Sequence, residues 1–177
     1  MNTKTLAEGT FLGLYANGHW EYAARTNSTG AVGVLPITDN EEIILVEQFR
    51  IPVANRVIEI PAGIAGDEDA FSDESLADTA ARELLEETGY RARQVTSLMT
   101  SPTSAGMTTE MVSLFVATGL TREHEGGGTH HEDIVVHKIA LNELDIWLSQ
   151  QQTNGLLVDL KIHACLYLAR QQGFIRS

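Results

Sequence analysis

The sequence predicts an α/β fold in which a mixed sheet is held between helices and a β-hairpin is added at the N-terminus. Three observations point to it. Asn17-Gly18 separates two short strand-like runs, 11–16 and 19–25, and this dipeptide suits a two-residue type I′ hairpin turn. Runs rich in Val, Ile and Leu at 31–37 and 42–50 read as buried strands, with further strands expected ending at Pro61 and at 93–100, 111–117 and 134–140. Helical patterns at 74–88, 142–151 and 156–172 lie between and after them.

The first helix is marked at both ends. Ser72-Asp73-Glu74 offers N-cap residues and acidic groups for the positive end of the helix dipole, and Gly89 is the expected stop. Ala77, Ala81, Leu84, Leu85 and Thr88 form its expected core stripe. In the last helix, Leu157, Leu160, Ala164 and Leu168 recur at helical spacing and are expected in the core. The polar stretch Thr121 to Asp133 contains Gly126-Gly127-Gly128 and reads as a loop too flexible to be a core element.

Bulk properties narrow the function. A length of 177 residues suits one domain, 1–177, with a sizeable core. A net charge of −12 argues against nucleic acid as a partner, because that needs a basic face to displace counterions. A phosphorylated small substrate is still compatible, since a bound cation inverts the local potential. The single Cys165 excludes an internal disulfide, and its apolar neighbours make a buried structural thiol the expectation. No run approaches 18 apolar residues, so no membrane is implied and a cytoplasmic soluble protein is expected.

The chemistry concentrates in Arg82-Glu83-Leu84-Leu85-Glu86-Glu87-Thr88-Gly89-Tyr90. Glu83, Glu86 and Glu87 fall at i, i+3 and i+4, on one helix face, where like charges repel. That arrangement is either a solvated face or a set of oxygen ligands for a hard divalent ion, Mg²⁺ or Mn²⁺. Arg82 is expected to pair with the carboxylates and orient them. Arg50, at a strand end, suits a bidentate phosphate clamp, and Glu59 is either its partner or a substrate ligand. Trp20 beside Glu21 suits stacking on a purine and accepting a hydrogen bond from it. His124, His130 and His131 invite a zinc site, but a second Cys and fixed ligand spacing are both missing.

Taken together, Gly63, Glu74 and Arg-Glu-Leu-x-Glu-Glu-x-Gly-Tyr resemble the signature of the Nudix hydrolases. The part from Glu74 to Tyr90 matches without a gap. Gly63 lies further upstream than the family's spacing, consistent with an insertion within 65–73, and Gly66 rivals it as the motif glycine. Leu45-Val46-Glu47-Gln48-Phe49-Arg50, Ile58-Glu59-Ile60-Pro61-Ala62-Gly63, Ser101-Pro102 and Glu132-Asp133-Ile134 look like the branch acting on ADP-ribose and other nucleoside diphosphate sugars. The loop after the third core strand departs from that branch, reading Ser101-Pro102-Thr103-Ser104-Ala105-Gly106.

The resemblance implies a Nudix α/β/α sandwich and Mg²⁺-dependent hydrolysis to a nucleoside monophosphate and a sugar phosphate. ADP-ribose comes first as substrate, with GDP-mannose and related sugars behind it. It implies Glu83 and Glu87 as direct metal ligands, Glu86 at a second ion or in its shell, and the Ala62 carbonyl facing a metal. It places Glu59 close to substrate and a catalytic carboxylate in the Gly-rich loop. Glu132 is the best match there, with Glu125 and Asp133 as alternatives and Glu110 as the choice of other branches. Finally, it implies base recognition by Trp20 and Glu21, with Arg25 on the same surface, and a homodimer to which 1–28 contributes. Two rivals stand: a Nudix enzyme for dinucleoside polyphosphates or nucleoside triphosphates, and a non-catalytic nucleotide-sugar sensor.

Overall fold

The computed structural model describes residues 3–28, 30–66, 74–128 and 133–176. Strands β4 (Gly30–Pro36), β7 (Ala62–Ala65), β9 (Gln94–Pro102) and β10 (Met111–Thr118) form one mixed sheet in the order β7-β4-β10-β9. Strands β5 (Glu42–Arg50), β6 (Asn55–Glu59), β12 (Val135–Ala140) and β13 (Leu157–Val158) form a second, in the order β12-β5-β6-β13. Helix α1 (Leu76–Thr88) packs on β4 and β7. Helices α2 (Leu144–Thr153) and α3 (Leu160–Gln171) lie on the other side, giving the α/β/α sandwich.

Period-two alternation decides what each strand face does. Val32 and Val34 of β4, with Phe115 and Ala117 of β10, meet Ala80 and Leu84 of α1. The alternate residues Ala31, Leu35, Val112, Leu114 and Val116 join Ile43, Leu45, Ile58 and Ile60 in the larger core, which α3 covers with Ile162, Cys165, Leu166 and Ala169. Burial pushes the Cys165 thiol up to about 12, as expected for a structural thiol.

Several boundaries differ from expectation. The N-terminal hairpin is a three-stranded sheet, because β1 (Lys4–Glu8) adds to β2 (Leu12–Asn17) and β3 (Trp20–Arg25). Every residue of β1 is exposed, so it carries no alternation for a sequence pattern to reveal. The N-cap of α1 is Ser75, whose side chain accepts from the Asp78 N–H; Ser72 and Asp73 lie outside the described residues. The buried face of α1 is Thr79, Ala80, Leu84, Glu87 and Thr88, so Ala80 replaces Ala81 and a carboxylate shares the stripe. Gly89 ends the helix as expected, at φ 75°.

The last helix starts later than its leucine pattern predicts. Leu157 belongs to β13, which pairs in parallel with β6, and α3 starts only at Leu160 behind the Asp159 N-cap. Leu157 and Leu160 are therefore exposed, while Ala164 and Leu168 are partly buried. The strand expected to end at Pro61 is two strands in two sheets: the chain leaves β6 at Glu59 and enters β7 at Ala62.

An ion-pair network ties the second sheet together. Arg56 of β6 bonds the Glu47 carboxylate of β5 and reaches Asp133 Oδ2 at 2.8 Å, while His137 of β12 bonds Glu47 at 2.9 Å. Burial pushes the Glu47 pKa up, but the hydrogen bonds from His137 and Arg56 outweigh it and hold the group below its ordinary 4.5. A depressed folded pKa contributes stability that is present above the ordinary value and is lost as pH falls through the folded one. Thermal unfolding between about pH 5 and pH 3 should therefore show a falling Tm. Glu47→Gln should flatten that slope; an unchanged slope would locate the acid sensitivity elsewhere.

Candidate active site

A cavity of about 560 Å³ opens between α1, β7, the start of α3 and the β9–β10 connection. Among its lining residues are Arg25, Arg50, Ala62, Gly63, Arg82, Glu83, Glu86, Glu110 and Lys161. The sequence singled out most of these. Lys161 was missed, because one Lys in a helix start carries no pattern of its own.

Helix α1 supplies one wall. Arg82 is mostly buried and bonds Glu83 at 3.0 Å, Glu86 at 3.1 Å and Glu74 at 3.3 Å. Burial opposes its charge, and these carboxylates outweigh that and raise its pKa. Glu87 is buried, and one of its oxygens accepts the Ala62 N–H at 3.2 Å. The three glutamates share a face as expected but do not converge: two turn to Arg82 and the third to β7. Among the described residues, no group of three His, Cys, Asp or Glu side chains is gathered as a metal cluster. The donors themselves, all carboxylate or carbonyl oxygen, are the kind a hard divalent ion prefers.

Gly63 holds the motif together by lacking a side chain. A Cβ there would lie 2.1 Å from the Glu83 carboxyl carbon, so Glu83 occupies space that any other residue would fill. This favours Gly63 over Gly66 as the glycine facing the carboxylates. Ala62 begins β7 and does not end a strand. It pairs with Gly33, while Pro61 O accepts from Val34 N. By the alternation of an antiparallel ladder, Ala62 then points its N–H and carbonyl away from β4, toward the open edge.

The cavity's other cations are each held by a carboxylate. Arg50 donates to both oxygens of Glu59, at 2.9 and 2.5 Å. Glu59 is buried, and its hydrogen bonds raise the Arg50 pKa against the effect of burial, helped by the nearby charges of Glu87 and Asp159. The geometry thus realises the partner reading of Glu59. Arg25 bonds Glu110 at 2.6 Å and joins the N-terminal sheet to the cavity rim. The backbone does the same: the Ala23 N–H donates to Met107 O and the Thr109 N–H to Ala23 O, laying the divergent 103–110 loop alongside β3.

That loop builds a second cavity, of about 720 Å³, with Trp20, Tyr22, His19 and Met107 in its lining. Trp20 is 55% exposed and faces this cavity, so it is not core packing. Glu21 is exposed and absent from the lining, as the next residue on a strand must point to the other face.

The Gly-rich stretch is a loop outside the core, as expected, but it is docked. It is anchored by β11 (Thr121–Arg122), which pairs with β8 (Tyr90–Arg91). Gly127 N–H then donates to the Glu87 carbonyl at 2.8 Å and Gly128 N–H to the Glu86 carbonyl at 3.1 Å. The loop therefore caps carbonyls at the end of α1 that no intrahelical donor reaches. Gly126, at φ 75°, lies so close that a Cβ would be 2.5 Å from the Thr88 carbonyl carbon. His124 accepts the Gly126 N–H, and Glu125 pairs with Arg122. Glu132, His130 and His131 lie outside the described residues.

The comparisons with known proteins agree with this architecture. Residues 27–155 match the NUDIX domain family model. The chain is 32% identical to the ADP-sugar pyrophosphatase of Mus musculus, over 82% of this chain and 71% of that one. It is 44% identical to the ADP-ribose pyrophosphatase of Bacillus subtilis, over 52% of this chain and 47% of that one. It is 36% identical to the methanol dehydrogenase activator of Bacillus methanolicus, over 67% and 62%. The chain thus spans about half to three-fifths of the length of the two bacterial relatives. A crystal structure of an ADP compounds hydrolase superposes over 100% of this chain and 95% of its own, with a TM-score of 0.76 at 22% identity, which is a likeness of fold. With its motif helix, its glycine contact and its sandwich in place, the chain belongs to the Nudix family.

Proposed function

We propose that the protein is a Nudix pyrophosphohydrolase that cleaves nucleoside diphosphate sugars, ADP-ribose first, to a nucleoside monophosphate and a sugar phosphate. The observation that carries this is the cavity itself, which brings the α1 carboxylates Glu83 and Glu86 together with the cations Arg25, Arg50, Arg82 and Lys161. Relatives named as ADP-ribose and ADP-sugar pyrophosphatases support the substrate class, and those named as GDP-mannose pyrophosphatases mark the nearest alternative.

Nudix hydrolases generally use divalent cations, and Mg²⁺, with Mn²⁺ as substitute, is the ion proposed here. Glu83, Glu87 and the Ala62 carbonyl would hold it, with Glu86 at a second ion. Bound there, it neutralises phosphate charge and lowers the pKa of a bound water. The chain's own groups do the rest. Arg82 keeps the repelling glutamates in place until phosphate and cation arrive. Glu59 fixes the Arg50 fork so that its free N–H edge meets a phosphate oxygen, where charge grows as the bridging bond breaks. Glu132 is proposed as the base. Among the alternatives, Glu125, Asp133 and Glu110 are each engaged by an arginine. Trp20 would stack the base, with Glu21 and Arg25 on the same sheet.

A homodimer and a cytoplasmic location complete the proposal. Leu6, Phe11, Leu12 and Leu14 are exposed on the N-terminal sheet, an apolar surface that a second copy would cover. No helix among the described residues is long and apolar enough to cross a membrane.

The test is product analysis with ADP-ribose, GDP-mannose, a diadenosine polyphosphate and a nucleoside triphosphate, each with Mg²⁺ and with chelator. Metal-dependent release of AMP or GMP with a sugar phosphate is expected. Selective polyphosphate or triphosphate cleavage would move the enzyme to another branch, and tight binding without turnover would make it a sensor. Trp20→Ala should raise KM for ADP-ribose about tenfold with little change in kcat. An unchanged KM would remove Trp20 from the base site.

A further inference from the structure

Lys161 is the second residue of α3, at the positive end of the helix dipole, where an ammonium is electrostatically misplaced. Lysine stems normally run out to water. This one is 24% exposed and lines the same cavity as Glu83, Glu86 and Arg50. Asp159 holds it there. One Asp159 oxygen caps the helix by accepting the Lys161 N–H at 2.7 Å, and the other accepts from the Lys161 Nζ at 2.5 Å. An ammonium has three donors, and Asp159 takes one.

The backbone explains why Lys161 stands beside Arg50. Strand β13 pairs in parallel with β6, with Val158 opposite Ile58, and the Asp159 N–H donates to Ile58 O at 2.9 Å. Glu59, the partner of Arg50, is the next residue along β6. Two neighbouring strand ends thus each present a carboxylate that grips one cation, giving the pairs Arg50–Glu59 and Lys161–Asp159. Asp159 is close enough for its charge to act on Arg50 as well.

We propose that Lys161 is a phosphate-binding residue of this site, acting together with Arg50, and that Asp159 is its positioning residue. The ligand class is the pyrophosphate-linked substrate, so the inference rests on the hydrolase reading above. Lys161 would hold a non-bridging phosphate oxygen.

The experiment compares wild type, Lys161→Met, Lys161→Arg and Asp159→Asn, with Tm measured for each. Steady-state kinetics on ADP-ribose and calorimetric binding of inorganic pyrophosphate are the two readouts. Lys161→Met should raise KM and weaken pyrophosphate binding by roughly 10- to 100-fold, the range for one charge-assisted hydrogen bond. Lys161→Arg should recover most of both, and Asp159→Asn should fall between. If Lys161→Met stays within about twofold of wild type in both readouts, Lys161 merely completes the helix cap and the proposal fails. If wild type hydrolyses nothing, the hydrolase reading fails, and pyrophosphate binding still decides the role of Lys161. Absence of pyrophosphate binding by wild type would overturn the subsite as well.

Discussion

Glu83→Gln should lower turnover of ADP-ribose by about a thousandfold, a loss of roughly 4 kcal/mol of transition-state stabilisation, while the fold survives. Glutamine keeps the shape of the side chain and one carbonyl oxygen but removes the charge that a divalent ion needs. The stability cost is small, about 1 kcal/mol, because Arg82 retains Glu86 and Glu74 as partners. Gly63→Ala is the sharper companion. It leaves every carboxylate in the sequence but puts a methyl group 2.1 Å from the Glu83 carboxyl carbon, so Glu83 must move. Comparable losses from the two variants, with little change in Tm, would tie activity to the position of this one carboxylate. Glu83→Gln retaining more than about a tenth of wild-type turnover would remove Glu83 from the metal site.

Arg50→Met should damage both stability and activity, and the two can be separated. Breaking a buried ion pair leaves an uncompensated charge and costs about 3–5 kcal/mol. Here Glu59 is 7% exposed, but the Arg50 side chain is 42% exposed, so a discounted cost of about 2 kcal/mol is expected in urea unfolding. The double variant Arg50→Met/Glu59→Leu removes the stranded carboxylate and should regain most of that stability. It should not regain activity. Loss of the proposed phosphate contact should hold kcat/KM about a hundredfold down in both variants. An active double variant would mean that Arg50 serves only to neutralise Glu59.

What the sequence revealed, and what it hid, follows the range over which each signal acts. Helix α1 was legible because its information is local: a spacing of carboxylates, a glycine stop and an adjacent family motif. Its N-cap was legible only to within three residues, since several capping residues stand in a row. The strands β4, β5 and β10 were legible because each contains a run of buried, mostly apolar residues on both faces. Strand β1 was hidden by its exposure, and the phase of α3 by the leucine at 157, which belongs to a strand pair formed with a segment about 100 residues earlier. Arg50 and Glu59 could be named as candidates with pairing as one of two readings, and only the geometry chooses it. Lys161 could not be named, because its meaning depends on Asp159 meeting Ile58 across two strands. The Gly-rich loop was recognised as a loop, and its docking was not, because backbone N–H groups leave no trace in residue type.

That docking gives the protein a built-in reporter. The Gly127 and Gly128 amide protons rest on the carbonyls of the two residues that also carry the Glu87 and Glu86 carboxylates. A change of charge or coordination on those side chains is therefore transmitted through one residue to an amide that nuclear magnetic resonance resolves, in the sparsely populated glycine region of the spectrum. Titrating a divalent cation while watching two peaks would read occupancy of the α1 face directly, with no substrate present and no turnover required.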